Sequence, residues 1–288
     1  AFPQLFRSWG GVETRRLILP LIQLIMFGIG ARLSIADFQR VITVPRPVLI
    51  CVLLQYTVMP LTGFALATLF KFEASVAAGV ILIGSCSAGI ASNVMVYLAH
   101  GSIPLSVTMT VATTLLAPLL TPLWMQWLAG QYVAIPFMAM MLEILQMIVL
   151  PILAGVGLNR LLNERRGWLD KALPVISMTG ICIIVAIIVA LSRDKLLEVG
   201  IPLIAAVMLH NAIGYVLGYA GARAFGLDES TSRTVSFVVG IQNGGMGSGL
   251  AINVLKSPAT ALAPAVFGAW MNISGSILAS FWRGRALR

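Results

Sequence analysis

The sequence predicts an all-α polytopic membrane protein in which two of nine membrane helices are interrupted. The 288 residues are 59% hydrophobic and only 10% charged, whereas soluble domains typically carry about 25% charged residues. The apolar residues form segments close to the ~20 residues that a helix needs to cross a bilayer. These segments cover residues 16–31, 46–70, 75–99, 102–128, 133–161, 172–192, 199–225, 231–255 and 258–282.

The first interrupted helix is predicted within residues 81–114. Glycine, serine and alanine accumulate over residues 84–89, and Ser92 and Asn93 follow before the helical pattern returns. An apolar segment with this many permissive backbone positions and side-chain oxygens is typical of a helix broken at mid-membrane. The carbonyl groups freed by such a break can bind a cation.

A second interruption is predicted over residues 235–255, VSFVVGIQNGGMGSGLAINVL. Five glycines surround the amides of Gln242 and Asn243. The two interruptions fall in the third and eighth segments, five segments apart, and therefore enter the membrane from opposite sides. This is the pattern of an inverted five-helix repeat, and a matching pair of broken helices is typical of a transporter's binding site.

The distribution of Lys and Arg predicts the orientation. Seven of them fall on one side of the nine segments and twelve, including Arg283, Arg285 and Arg288, fall on the other. Because cytoplasmic loops carry the excess of Lys and Arg, the C-terminus is expected in the cytoplasm and the N-terminus outside. The formal net charge of +9 is spread singly between apolar segments, which does not favour nucleic-acid binding.

Other classes of function fit the sequence less well. The sequence contains neither an HExxH motif nor paired carboxylates inside the membrane segments, so an intramembrane enzyme is not predicted. A channel is disfavoured because the polar residues cluster at two breaks instead of forming a continuous lining. The three cysteines, Cys51, Cys86 and Cys182, show no metal-ligand spacing and are interpreted as packing residues.

Six motifs resemble the bile acid:sodium symporter family, over nearly the whole chain. They are IMFGIG at 25–30, GIASNVMVYLAHG at 89–101, LSVTMTVATTLLAPLLTP at 105–122, LHNAIGY at 209–215, VGIQNGG at 239–245 and NISGSILASFW at 272–282. The resemblance implies a panel domain (1–45 and 133–195), a core domain (46–132 and 196–288), and two broken helices that cross in the core. It also implies a ten-helix pattern, nine in some members, whose first helix is missing here or precedes Ala1.

The resemblance also implies the site residues. The first Na⁺ site would use Ser92, Asn93, Ser106 and Thr110. The second would use Gln55 and Gln242 with the carbonyls of Val238, Val239 and Ile241. Residues for an organic anion would be Ile90, Asn93, Asn243, Gly244, Met271 and Asn272. Ser106 and Thr110, spaced i and i+4, share one helix face, and all four residues of the first site carry the oxygen atoms that Na⁺ prefers.

Two positions depart from the family pattern. Val238 replaces a carboxylate that the family shares between the two sodium sites, so weakened sodium occupancy is expected. Met271 replaces a histidine found in many members, which bears on the identity of the substrate.

The predicted function is sodium-coupled symport, by alternating access, of a bile acid or a small hydroxy or keto acid such as pantoate. A sodium-independent or weakly coupled facilitator is the alternative that Val238 suggests. The predicted location is a bacterial inner membrane, with lipid and the organic anion as partners and no nucleic acid.

Several polar residues have a structural interpretation beside the functional one. A single serine or threonine in a membrane helix often bonds to its own preceding turn. Gln55 and Gln242 could bond to each other as interhelical contacts, and His210 could either relay protons or bond across to a neighbouring helix.

Overall fold

The computed structural model describes residues 6, 8–9, 12–162 and 169–285, and it is helical over almost all of them. The first helices are α1 (Ile18–Gly30), α2 (Ile35–Thr43), α3 (Pro45–Leu69), α4 (Ala74–Ser85), α5 (Ala91–Leu98) and α6 (Ile103–Trp124). The remaining helices are α7 (Phe137–Ile144), α8 (Leu150–Leu162), α9 (Leu169–Leu191), α10 (Arg193–Ala224), α11 (Glu229–Gly240), α12 (Gly244–Asn253) and α13 (Pro258–Arg283).

Shorter elements complete the described chain. A 3₁₀ turn (Thr14–Leu17) precedes α1, and π-helical turns extend α6 over Met125–Ala129 and join α7 to α8 over Leu145–Val149. Two strands of two residues each, β1 (Ser8–Trp9) and β2 (Val12–Glu13), pair antiparallel before the 3₁₀ turn. Four of the basic residues counted for the orientation lie outside the described residues: Arg7, Arg165, Arg166 and Arg288.

Five continuous helices in the described chain are long and apolar enough to cross a membrane. They run over Pro45–Leu69, Ile103–Ala129, Phe137–Leu161, Arg193–Ala224 and Pro258–Arg283. The pair Thr14–Gly30 and Ile35–Thr43 passes the same test as one segment bent by 76°. These apolar spans identify an integral membrane protein.

Helix α2 was not predicted, because a search for long apolar segments overlooks a short amphipathic helix. The sequence nevertheless contains a local signal for the start of this helix, the Ser-x-x-Asp pattern of Ser34 and Asp37. Both the backbone N–H and the hydroxyl of Ser34 donate to Asp37 Oδ2, each at 2.8 Å. The bond from the Ser34 backbone to Asp37 is the one that the acidic residue of a capping box makes, and a Ser-x-x-Asp pattern predicts it.

The interruptions lie in the two predicted stretches. Helix α4 ends at Ser85 and α5 begins at Ala91, while α11 ends at Gly240 and α12 begins at Gly244. Helices α4 and α11 have 12 residues each. Such a helix rises about 18 Å at 1.5 Å per residue, well short of the ~30 Å hydrocarbon core. Neither α4 nor α11 is therefore long enough to cross the membrane by itself.

The helices pack in two groups. Helix α1 packs on α8 and α9, whereas α3, α4, α6, α10, α11 and α13 pack extensively on one another. Glycines permit the closest approaches within each group: a Cβ at Gly30 would overlap the backbone of Ile152, and one at Gly79 would overlap that of Thr260. The interrupted helices lie in the second group, and α12 also contacts α1 and α7.

Candidate functional site

The two helix breaks pair with each other in the interior of the second group. The backbone N–H of Gly89 donates to the carbonyl of Ile241 (2.8 Å), and that of Asn243 donates to the carbonyl of Ser87 (2.9 Å). Ala88 and Gln242 form an antiparallel bridge between these bonds. Only glycine fits at position 89, because a Cβ there would overlap the carbonyl of Gln242. The non-helical stretches of both halves therefore meet at one buried point.

Side chains from neighbouring helices bond to the carbonyls that the breaks set free. At the first break, Thr121 Oγ1 donates to the carbonyl of Ser85 (2.7 Å) and Gln55 Nε2 to that of Cys86 (3.0 Å). At the second, Asn211 Nδ2 donates to the carbonyl of Gly240 (2.9 Å). Neither Thr121 nor Asn211 was predicted to belong to the site, although a polar side chain in an apolar helix is the signal that marks such residues.

The structure brings residues of the predicted first sodium site together. Ser106 Oγ on α6 donates to Asn93 Oδ1 on α5 at 2.6 Å. Thr110 Oγ1 bonds to the carbonyl of Ser106, one turn earlier on its own helix (2.9 Å). Ser92 is fully buried, and its Oγ has no hydrogen-bond partner among the described residues. The site thus combines three engaged side chains with one unengaged hydroxyl.

The predicted second sodium site contains an amide pair. Gln55 Nε2 donates to Gln242 Oε1 at 2.8 Å, so these two side chains do bond to each other. Gln242 Nε2 in turn donates to the carbonyl of Val239 (2.6 Å). Gln55 Oε1 is buried without a hydrogen-bond partner in the described chain.

The predicted backbone ligands of the second site are partly engaged. The carbonyl of Ile241 accepts from Gly89 (2.8 Å), and that of Val239 accepts from the Gln242 amide (2.6 Å). A carbonyl oxygen has two lone pairs, so each retains one acceptor position. Val238 is fully buried and contributes no side-chain oxygen.

Helix ends supply the electrostatics of this region. Helices α4 and α11 present their C-terminal ends to the breaks, and α5 and α12 present their N-terminal ends. The partial charge of a helix end is about half an elementary charge, negative at the C-terminus and positive at the N-terminus. The side chains described above as bonding at the breaks are all neutral. A cation is therefore favoured beside the ends of α4 and α11, and an anion beside the starts of α5 and α12.

Four of the residues predicted for the substrate lie around the start of α12 and one stretch of α13. Asn243 Oδ1 accepts from the backbone N–H of Met246 (3.0 Å) and so caps α12. A Cβ at Gly244 would lie 3.3 Å from Gly268 Cα, one turn before the exposed Asn272, whose Nδ2 donates to the carbonyl of Gly268 (2.7 Å). The buried Met271 accepts at its carbonyl from Tyr215 OH (3.3 Å).

The other two predicted substrate residues, Ile90 and Asn93, lie at the N-cap and in the first turn of α5. Both are half-buried. Helix α5 itself packs on α13, where Met95 Sδ lies 3.8 Å from Ser276 Oγ. Space beside the start of α12 is open: a Cβ at Gly268 would meet nothing within 4 Å, and one at Gly245 would meet only Asn243 Oδ1 at 3.5 Å.

Two cavities elsewhere do not coincide with these residues. One of about 250 Å³ lies between α1 and α9, and its lining is almost entirely apolar. Another of about 280 Å³ lies between the α3–α4 connection and the start of α10. Neither is lined by a predicted sodium or substrate residue. His210 contacts the neighbouring α3, as its structural interpretation predicts. The residue is buried, and its Nε2 lies 2.9 Å from the carbonyl of Met59.

Comparison with known proteins places the chain in a family of membrane transporters. The model of the sodium bile acid symporter family matches residues 19–199. The sodium-dependent transporter YocS of Bacillus subtilis, described as uncharacterized, is 39% identical over 98% of this chain and 86% of its own. The chain belongs to the sodium bile acid symporter family.

Relatives from plants extend the comparison. "Probable sodium/metabolite cotransporter BASS1, chloroplastic" of Oryza sativa is 35% identical over 92% of this chain and 67% of its own length. Its counterpart in Arabidopsis thaliana is 35% identical over 91% of this chain and 65% of its own. The family and these relatives are transporters, so the expectation that the chain is not an enzyme is confirmed.

Proposed function

We propose that the protein is a secondary transporter that couples the movement of Na⁺ to that of an organic anion. One observation carries this proposal: each predicted sodium site holds a buried oxygen with no hydrogen-bond partner in the described chain, Ser92 Oγ in the first and Gln55 Oε1 in the second. An unsatisfied buried polar atom costs about 1–3 kcal/mol. A bound cation would remove this cost at both positions.

The chemistry of the two sites suits Na⁺. Their donors are hydroxyl, amide and carbonyl oxygens, the ligands that hard cations prefer. Broken membrane helices bind Na⁺ with unwound carbonyls and C-terminal half-helix ends, as α4 and α11 provide here. The names of the relatives, a sodium-dependent transporter and sodium/metabolite cotransporters, support the same ion.

The proposed substrate is a carboxylate-bearing organic anion, either a bile acid or a small hydroxy or keto acid such as pantoate. Its carboxylate would lie near the N-terminal ends of α5 and α12, where helix dipoles favour negative charge. Asn243 uses its Oδ1 to cap α12, which leaves its Nδ2 to donate to the anion. Asn93 accepts from Ser106 at its Oδ1 and likewise has an Nδ2 to donate.

The proposed mechanism is alternating access between a panel domain (1–45 and 133–195) and a core domain (46–132 and 196–288). The two half-helices beyond the breaks differ in a way that supports it. Met246–Ile252 in α12 are buried, and a Cβ at Gly249 would overlap Met147 Sδ. Helix α5 instead exposes 56% of Val94 and 65% of Tyr97. The region between the domains is thus closed beside α12 and open beside α5.

The distribution of basic residues supports an orientation of the protein in the membrane. Helix α5 ends on the side that carries Arg223, Arg233 and Arg283, the side with the excess of basic residues. With the positive-inside rule, the open side and the C-terminus face the cytoplasm, in a bacterial inner membrane. Nine spans, with the third and eighth interrupted, then form the inverted repeat. The antiparallel pairing of the breaks agrees with that symmetry.

Val238 favours a second candidate, a facilitator that is weakly coupled to sodium or independent of it. The side chain at this position is fully buried and apolar. Two cations in a buried site without a formal negative charge repel each other and lose hydration without compensation. Sodium would then contribute little to the driving force.

Uptake into proteoliposomes distinguishes the candidates. Radiolabelled pantoate and taurocholate are presented with an inward Na⁺ gradient or with K⁺ in its place, at matched membrane potential. Symport predicts uptake of one of them that falls when K⁺ replaces Na⁺. Equal uptake in both salts would establish the facilitator, and absence of uptake of both anions in either salt would contradict the proposed substrate class.

A further inference from the structure

Asn211 connects the second helix break to α13 through a buried hydrogen-bond chain. It lies on α10 and is fully buried. Its Nδ2 donates to the carbonyl of Gly240, the last residue of α11, at 2.9 Å. Its Oδ1 accepts from Ser274 Oγ on α13 at 2.5 Å. Both functional groups of the amide are therefore engaged, one at the break and the other on the helix that carries Met271 and Asn272.

The bond to Gly240 replaces one that a continuous helix would make. In an uninterrupted α-helix the carbonyl of Gly240 would accept from the N–H of residue 244. Here the N–H of Gly244 donates instead to the carbonyl of Gln242, at 3.0 Å. The amide of Asn211 supplies the missing donor. The carbonyl of Gly240 therefore keeps a hydrogen bond despite the break at residues 241–243.

The packing around this bond leaves little room for another arrangement. A Cβ at Gly240 would overlap the ring of Tyr215, and one at Gly214 would lie 3.0 Å from Gly240 Cα. Ser236 Oγ also donates to the carbonyl of Tyr215, at 2.7 Å. Helices α10 and α11 are thus held at close approach directly beside Asn211, which fixes the position of the last α11 carbonyl.

We propose that Asn211 is a positioning residue for the second sodium site. By holding the carbonyl of Gly240, it keeps residues 241–243 out of helical conformation and directs the carbonyls of Val239 and Ile241, with the Gln242 side chain, toward the ion. Ser274 orients the Asn211 amide so that its nitrogen faces Gly240. This inference rests on the proposed sodium coupling and adds to it a residue that does not itself touch the ion.

The test measures sodium affinity separately from folding. The purified chain of 288 residues is titrated with NaCl, with KCl keeping the ionic strength constant, and thermal unfolding is followed at each point. Asn211→Leu keeps the branching and the number of heavy atoms of the side chain but removes the amide. It should raise the half-saturating Na⁺ concentration about fivefold, the factor that the net free energy of one hydrogen bond implies. Ser274→Ala should raise it about twofold to threefold, since the amide stays but loses its orienting donor.

Ser276→Ala is the matched control, the same change two residues along α13. The Ser276 hydroxyl bonds to the carbonyl of Asn272, on its own helix, and to Met95 Sδ. Its sodium midpoint should equal that of the parent chain.

The possible results distinguish a failure of this inference from a failure of the proposed sodium coupling. A lower unfolding temperature in KCl with an unchanged sodium midpoint for Asn211→Leu would make Asn211 merely structural and overturn the inference. If that variant does not fold, a Ser274→Ala midpoint equal to that of Ser276→Ala has the same meaning. A parent chain that NaCl stabilises no better than KCl would instead remove the sodium sites themselves.

Discussion

At the scale of a single residue, substitution of Ser92 should affect ion binding and protein stability differently. Its hydroxyl is buried and has no hydrogen-bond partner in the described chain, so Ser92→Ala should leave the unfolding temperature in KCl unchanged or raise it. The same change removes a proposed ligand and should raise the half-saturating Na⁺ concentration about fivefold. Thermal unfolding across a NaCl series measures both quantities.

Ser85→Ala is the control for this prediction. The Ser85 hydroxyl is equally buried in the first interrupted segment but donates to the carbonyl of Ile81, at 2.8 Å on its own helix. Its loss should lower stability slightly and leave the sodium midpoint unchanged. If Ser92→Ala behaves like Ser85→Ala, Ser92 is not a ligand.

The second prediction at this scale concerns the effect of Val238 on sodium dependence. Val238→Glu would restore a formal negative charge at a position that is now apolar and fully buried. Sodium dependence of anion uptake should increase, because the carboxylate offsets the repulsion between two cations. Val238→Gln, similar in size but uncharged, should not reproduce the increase. Identical uptake by the Glu and Gln variants in Na⁺ and K⁺ would place Val238 away from the ions.

At the scale of elements, the start of α11 depends on one carboxylate. Asp228 Oδ1 accepts from the backbone N–H of Thr231 (2.9 Å) and Oδ2 from its hydroxyl (2.6 Å). Asp228→Ala should therefore lower the free energy of unfolding by about 1 kcal/mol, the typical value of an N-cap. Denaturant unfolding in detergent measures this change. Asp228→Asn, which retains a cap, should lower the free energy of unfolding much less than Asp228→Ala does.

The same carboxylate predicts a pH dependence. The hydrogen bonds from Thr231 lower the pKa of Asp228 below its ordinary value of 3.8. A lowered pKa in the folded state means that the stabilisation is fully present above pH 3.8 and is lost as the pH falls through the lower, folded-state pKa. The difference in unfolding free energy between the parent chain and Asp228→Asn should therefore shrink below this pH. A constant difference down to acidic pH would contradict the assignment.

At the scale of the whole molecule, two polar contacts join α12 to α7 and to the 3₁₀ turn before α1. Asn253 Nδ2 donates to Glu143 Oε1 on α7 at 3.0 Å. Arg15 Nη2 donates to the carbonyl of Ile252 at 3.3 Å, where a cation also suits the C-terminal end of α12. The proposed alternating access would require these contacts to break for the side beside α12 to open.

Removing one contact should shift the population toward the opened state. In a Cys182→Ala background, Ser248→Cys places a thiol at a position that is 2% exposed in this structure. Asn253→Ala should increase its labelling by a membrane-impermeant maleimide several-fold, since a lost hydrogen bond is worth about 1 kcal/mol. The Ser248 parent in the same background corrects for the two remaining cysteines.

Glu198→Gln serves as the control for this experiment. Glu198 forms an ion pair with Lys195 at 2.9 Å, but its side chain is 66% exposed and it lies on α10, away from α12. Its loss should not alter labelling. Equal labelling with and without Asn253→Ala would show that the contact does not hold the closed side.

Much of this architecture could be predicted from composition and local pattern. Apolar length predicted where helices run, and small residues with nearby amides predicted interruptions within residues 81–114 and 235–255, where the structure has breaks at residues 86–90 and 241–243. Both predictions use information within about ten residues of chain. The π-helical turns and α2 were not anticipated, because a search for long apolar segments does not register short elements.

By itself the sequence determined an all-helical membrane protein with two polar interruptions, because bilayer thickness and backbone hydrogen bonding leave few alternatives for so apolar a chain. Only the tertiary structure decided which donors replace the lost helical bonds: Thr121 and Asn211 lie 36 and 29 residues from the carbonyls that they satisfy. It also decided that Ser92 Oγ and Gln55 Oε1 have no hydrogen-bond partner among the residues that the structure describes. Hydrogen bonding between distant segments depends on how the helices pack, which local pattern does not specify.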